Sequence, residues 1–209
     1  MKLLLVILTS SKMKINIPLK LILCQLIILI FFSQQGYSQN QYTFEEIDSL
    51  LKTKEFTDTC THLDISNVNF KEFPKNLFKC KNIVFLDMSG FGIKEIPNTI
   101  SQLKKLEVLY LNFSALEKVP AGLYECTQLK ELFFYESNVN ELPQGISNLT
   151  QLKILYLGRT KICSLPSDLG NCTWLNNLII YNIENENCLT ESIKNDLKQR
   201  LPNTQIDWR

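Results

Sequence analysis

Pro74, Pro97, Pro120, Pro143 and Pro166 stand 23 residues apart at every step. The same interval separates Leu63, Leu86, Leu109, Leu132, Leu155 and Leu178. Two residues further on it separates Ile65, Met88, Leu111, Phe134, Leu157 and Ile180. An apolar residue precedes each proline (Phe73, Ile96, Val119, Leu142, Leu165), and another follows it by three (Leu77, Ile100, Leu123, Ile146, Leu169). Five full repeats fill residues 60–174, and a sixth begins at Leu175 before diverging. A period held at several positions at once constrains the fold more than any local signal, because successive units must share one conformation and stack.

Each unit reads in the same way. The stretch from Leu152 to Leu157 ends in apolar–polar alternation, which fits a short strand. The proline cannot donate to a ladder and turns the chain. The residues after it, such as Pro166-Ser167-Asp168-Leu169, suit a single 3₁₀ or α turn. One coil cannot bury its own apolar stripe; stacked coils bury it jointly and pair their strands in parallel. The expected architecture is therefore α/β: a curved parallel β-sheet on a concave side, short 3₁₀ or α turns and loops on a convex side, and a cap at each end.

The repeat "LKILYLGRTKICSLPSDLGNCTW" and its siblings resemble the leucine-rich-repeat family, in the 23-residue class that reads LxxLxLxxNxLxxLPxxLxxL. The resemblance covers about residues 60–185 and is similar to exported bacterial-type members. It implies a leucine-rich-repeat solenoid that binds rather than catalyses. One departure is clear. The ladder-forming Asn position holds Val68, Phe91, Ser114, Ser137, Thr160 and Ile183. The three hydroxyls are expected to bond loop carbonyls, and the apolar residues to leave looser turns in the first two coils.

The chain divides into four expected segments: 1–38 an export signal, 39–59 an N-terminal capping helix, 60–182 the solenoid and 183–209 a C-terminal cap. Residues 43–56 begin with a Thr43/Glu46 capping box, and Phe44, Ile47, Leu50 and Leu51 line one face. At the other end Thr190 precedes a helical stretch with Ile193, Leu197 and Leu201 on one face, stopped by Pro202; Ile206 and Trp208 suit a last strand and a lid. Both helices read as caps, with partner binding as the alternative.

Lys12, Lys14 and Lys20 precede an apolar run from Leu21 to Phe32, followed by Gly36-Tyr37-Ser38. A charged region, a short apolar region and small residues at a cleavage site compose a secretory signal, with cleavage expected between Ser38 and Gln39. The run is shorter than the roughly 20 residues that span a bilayer, so no membrane span is expected in the mature chain. Met13 serves as well as Met1 for a start. An uncleaved anchor and lipidation at Cys24 are the alternatives. The expected location is secreted, periplasmic or cell-envelope.

Lys and Arg number 22 against 21 Asp and Glu. That balance disfavours nucleic acid, which calls for a basic stripe. With 7 Gly and no glycine-rich phosphate loop, nothing implies a nucleotide or other cofactor. Cys80, Cys126 and Cys172 share one repeat position, where Leu103 and Leu149 stand in the intervening coils, so they read as apolar core fillers. Strands stack about 4.8 Å apart, which sets these thiols roughly 10 Å apart, beyond disulfide reach. Cys163 with Cys188 and Cys60 with Cys80 are the possible bridges. No C-x-x-C pair suggests a metal. His62, the only histidine, shares a strand face with Asp64 and Ser66, an arrangement any polar strand supplies; an exposed surface His is the simpler reading, and no catalytic residue is assigned.

The register also names the residues that point away from the core. One column runs Asp64, Asp87, Tyr110, Phe133, Tyr156, Ile179; the next runs Ser66, Ser89, Asn112, Tyr135, Gly158, Tyr181; the preceding one adds Phe85, Val108 and Ile154. Tyr110, Phe133, Tyr135, Tyr156, Ile179 and Tyr181 thus form one patch on coils three to six. Large exposed aromatic patches mark interaction sites, although aromatic rings also favour strands for their own sake. The expected partner is a protein or peptide. A glycan is the alternative, with Asn112, Glu131, Glu136 and Arg159 at hand for its hydroxyls. Self-association in the envelope and an intracellular signalling scaffold, which the LP-containing repeat class also resembles, complete the alternatives.

Overall fold

The computed structural model describes residues 43–208 apart from 69, 71, 91, 93 and 182–187. The export signal, Phe91 and Ile183 therefore lie outside the described residues.

Two helices open the described chain, α1 (Phe44–Lys52) and α2 (Lys54–Thr59). The expected single helix is interrupted at Thr53, whose backbone is extended and whose amide and hydroxyl both donate to Leu50 O. The capping box forms: Glu46 N donates to Thr43 Oγ1 at 3.2 Å and Thr43 N to Glu46 Oε2 at 3.0 Å. Ile47 and Leu51 are buried, and Phe44 meets Phe70 edge-on at 5.5 Å, so α1 closes the first coil.

Seven parallel strands follow in strict sequence order: β1 (His62–Asp64), β2 (Phe85–Asp87), β3 (Val108–Tyr110), β4 (Glu131–Phe133), β5 (Ile154–Tyr156), β6 (Asn177–Ile179) and β7 (Gln205–Asp207). Between β1 and β6 each residue pairs with the one 23 positions on, as in Leu63 with Leu86 and Leu109 with Leu132. The final β6–β7 step is longer because α3 (Glu191–Arg200) intervenes. The prolines sit where the repeat requires a turn. Pro74, Pro97, Pro120 and Pro166 each precede a five-residue 3₁₀ segment, and Gly145, at φ 112°, precedes a shorter one at Ile146–Asn148.

Sheet and 3₁₀ segments enclose one continuous core. The central strand leucines Leu86, Leu109, Leu132, Leu155 and Leu178 are fully buried, as are Leu77, Ile100, Leu123, Ile146 and Leu169 opposite them. Each such side chain contributes roughly 1.5–3 kcal/mol relative to exposure, and each packs only against its own coil and its neighbours. Cys80, Cys126 and Cys172 fill the same layer as fully buried thiols. Burial pushes the Cys126 and Cys172 thiols up to about 11 and about 12, so both stay protonated and apolar. Gly122 is required by close approach: a Cβ there would lie 2.2 Å from the Asn98 carbonyl oxygen of the preceding coil. Its amide donates instead to Asn98 Oδ1 at 3.0 Å.

Two expectations need correction. Cys60 and Cys80 do not form a bridge; their thiols stay reduced and share a hydrogen bond, while Cys60 Sγ also faces His62 O at 3.6 Å. Of the three hydroxyls at the ladder position, only Thr160 bonds a loop carbonyl, Leu157 O, at 2.8 Å. Ser114 and Ser137 are buried, and their hydroxyls have no partner among the described residues. Cys163 and Cys188 are joined as a disulfide, with Cα atoms 4.8 Å apart, tying the last full coil to the approach of α3.

The C-terminal cap is seated by polar contacts as well as by Leu197 and Leu201. Arg200 Nη2 donates to Ser167 O at 2.9 Å and Asn171 Oδ1 at 3.0 Å, and Thr204 Oγ1 to Leu175 O at 2.8 Å. Among the described residues, no helix is long and apolar enough to cross a membrane.

Candidate functional site

The face of the sheet turned away from the core carries the predicted aromatic column, and its rings touch from strand to strand. Phe85 meets Tyr110 edge-on at 5.3 Å, and Tyr110 meets Phe133 at 4.7 Å. Phe133 stacks on Tyr156 at 5.8 Å, and Tyr156 meets Tyr181 at 6.0 Å. Tyr135 joins from the neighbouring column, edge-on to Tyr156 at 5.6 Å. The parallel register sets Tyr110, Phe133 and Tyr156 side by side, about 4.8 Å apart, within the contact range of aromatic rings; Phe85 and Tyr181 reach this column diagonally from the columns on either side. Ile179 continues the column on β6, partly exposed beside Tyr156 in the register.

The tyrosine hydroxyls are arranged too. Tyr156 and Tyr181 share a hydrogen bond of 2.5 Å over Gly158. A Cβ at Gly158 would lie 2.9 Å from the Tyr156 ring and 3.2 Å from that of Tyr181. Glycine is thus needed for the two rings to close over the strand end. Burial, then the bond from Tyr181, pushes the Tyr156 phenol up to about 12.

Asn112 is engaged structurally, its Oδ1 accepting from Tyr135 N at 2.9 Å. It holds the backbone under Tyr135. Arg159 forms an ion pair with Glu136 and lies over the Tyr135 ring, 5.8 Å from its centre. Tyr135 is thereby held between Tyr156, Arg159 and one residue the sequence patterns do not single out, Phe113, which meets it edge-on at 5.4 Å.

Phe113 is 57% exposed, the one large apolar side chain so exposed among the described residues. Its backbone is left-handed, φ 53°. Asn67, Gly90, Glu136 and Arg159 share that conformation, each 23 residues from the next member of the series. The reason is a second ladder. Each of these amides donates to the following coil: Asn67 N to Ser89 O, Gly90 N to Asn112 O, Phe113 N to Tyr135 O, Glu136 N to Gly158 O and Arg159 N to Tyr181 O, all at 2.7–3.0 Å. Asn and Gly accept the left-handed region readily, whereas Phe, Glu and Arg do so at a cost of about 1–2 kcal/mol each. The signal was in the sequence: Phe113 follows Gly90 by one period and Asn67 by two.

The N-terminal end of the face is acidic. Asp64 and Asp87 are register partners on β1 and β2. Each uses one carboxylate oxygen to accept the amide two residues on, Ser66 N at 2.9 Å and Ser89 N at 2.8 Å. Burial, with Asp64 beside it, holds the Asp87 carboxyl above its usual range. Burial, then Glu131 and Asp87, raises the Tyr110 phenol. His62 stacks on Phe85 at 6.0 Å and its Nδ1 lies 3.0 Å from Thr61 Oγ1, a surface histidine built into the ring column. No group of three or more His, Cys, Asp or Glu side chains able to hold a metal occurs among the described residues.

No family model matches the chain, and no curated protein matches it in sequence. Solved structures do match. A leucine-rich-repeat protein of Leptospira interrogans superposes with a TM-score of 0.67 at 23% identity, over 78% of this chain and 39% of that one. The leucine-rich-repeat ectodomain of a plant membrane receptor kinase from Arabidopsis thaliana, in complex with CASPARIAN STRIP INTEGRITY FACTOR 2, gives 0.53 at 25% identity, over 61% and 16%. Internalin C2 of Listeria monocytogenes gives 0.57 at 19% identity, over 78% and 64%. The chain thus spans less than two thirds of the length of each. The 23-residue register, the seven-stranded parallel sheet and these superpositions make the chain a leucine-rich-repeat solenoid.

Proposed function

We propose that the chain is an exported, non-catalytic binding module that takes a protein or peptide partner on the open face of its sheet. The observation that carries this reading is the unbroken chain of ring contacts from Phe85 on β2 through β3, β4 and β5 to Tyr181 just past β6, each ring partly exposed. Tyrosine and phenylalanine supply large contact area at small entropic cost, and such residues dominate binding hot spots. Tyr110, Phe133, Tyr135, Tyr156 and Ile179 form the centre of the surface; Phe85, Asn112, Arg159 and Tyr181 form its margin. The Arabidopsis receptor ectodomain of the same fold was solved with a bound factor, which supports the reading by analogy. The engagement of His62 with Thr61 and Phe85, and of Asp64 with Ser66 N, supports a surface rather than a catalytic dyad.

The test is a capture experiment on surface proteins and glycans, with the full chain and with a Tyr110→Ala, Tyr135→Ala, Tyr156→Ala triple variant. Partners lost by the variant alone support the reading; equal retention of every partner counts against this face. Capture of glycans alone would favour carbohydrate, and concentration-dependent light scattering would favour self-association. N-terminal sequencing of the mature protein with cell fractionation tests export: an intact N-terminus in the cytosol would favour the scaffold alternative.

A further inference from the structure

The N-terminal end of the open face gathers Asp64, Asp87 and Glu131, and one further carboxylate, Asp207, stands beside Ile179 at its other end. Nearby inter-coil cations are engaged elsewhere: Lys130 pairs with Glu107 at 2.7 Å, Arg159 pairs with Glu136, and Lys153 Nζ donates to Trp174 O at 3.3 Å. Among the described residues, no lysine or arginine forms an ion pair with Asp64, Asp87 or Glu131. Asp64 and Asp87 stand directly opposite on adjacent strands, an arrangement that repels itself across about 4.8 Å of strand spacing. Asp87 is the register partner of Tyr110, and Glu131 stands diagonally across from it, opposite Val108; both carboxylates raise the Tyr110 phenol. That ring meets Phe85 on one side and Phe133 on the other. Carboxylates beside aromatic rings make a favourable seat for a cation, which gains from both the charge and the ring quadrupole.

Resting on the reading that the open face is the binding surface, we infer that its occupant is an extended segment of a protein partner carrying a lysine or arginine, which sits between Asp64, Asp87 and Tyr110, and an apolar side chain, which sits on Tyr156. From β2 to β5 there are three strand spacings, about 14 Å. An extended chain rises about 3.3 Å per residue, so the cationic and apolar side chains lie about four residues apart. The repulsion between Asp64 and Asp87 is relieved when the cation binds, which ties affinity to that pair.

The experiment selects a displayed random-peptide library on the immobilised full chain and measures the enriched sequences by fluorescence anisotropy. Enrichment of Lys or Arg with an apolar residue about four positions away is expected. An Asp64→Asn, Asp87→Asn variant should bind such peptides about tenfold more weakly, through loss of two partly exposed charge attractions, and melt at the same or a higher temperature, because a repulsive pair has been removed. Replacing the peptide cation by Gln should cause a similar loss, and added salt should weaken binding. Selection of acidic or uncharged peptides, of no peptide at all, or of basic ones indifferent to the Asp variant overturns the inference. Charge-indifferent binding that is still lost on Tyr135→Ala and Tyr156→Ala would leave the open-face reading standing; binding insensitive to the tyrosines would remove both.

Discussion

At the scale of single residues, Phe113 combines two unfavourable features: it is left-handed at φ 53°, and 57% exposed. Phe113→Gly should raise stability by about 1 kcal/mol, since the strained backbone relaxes and only one edge contact with Tyr135 is lost; denaturant midpoints will show the sign. A fall on that substitution would mean that the ring, not the backbone, sets the local balance. The hydroxyls beside it behave differently from one another. Thr160→Val should cost about 1 kcal/mol through the lost bond to Leu157 O, while Ser137→Ala should be neutral or stabilising, because that hydroxyl has no partner among the described residues. The ladder position itself was legible from the repeat. Which hydroxyl would bond was not, since that depends on a rotamer, and pattern alone does not specify one.

At the scale of elements, the strand ends and caps were the most readable parts. Thr43 with Glu46, and the fall of Leu197 and Leu201 on one face, follow from local hydrogen bonding and helical spacing. The break at Thr53 and the seating of Arg200 on Ser167 and Asn171 were not readable, because both depend on contacts between parts of the chain that no short window contains. The Tyr156–Tyr181 closure is testable through pH. Its phenol is raised from 10.0 to about 12, so the folded state holds its proton longer than the unfolded chain does. The associated stability is complete below pH 10.0 and is lost as pH rises towards about 12. Melting temperature across that window should fall less steeply in Tyr156→Phe. Gly158→Ala, by forcing the rings apart, should lower the alkaline transition seen by tyrosinate absorbance. Reduction of Cys163–Cys188, which closes a separation of 25 residues, should destabilise the C-terminal end by about 3 kcal/mol.

At the scale of the whole described molecule, every coil touches only the next, so stability is a sum of units and interfaces rather than a property of one centre. Hydrogen exchange should be slowest at β3, β4 and β5 and faster towards both caps; uniform protection from β1 to β7 would contradict that picture. The aromatic face follows from the same regularity, since one column of the repeat becomes one stripe of surface. The constant interval has a further consequence. Because β2 to β6 pair at offsets of 23 throughout, a cut and rejoining at equivalent points returns every strand to a valid partner. In strand register, the coils of this protein are interchangeable. Duplicating one would lengthen the ring stripe without re-registering anything, and unequal recombination within the gene is a ready route by which such a surface changes its reach.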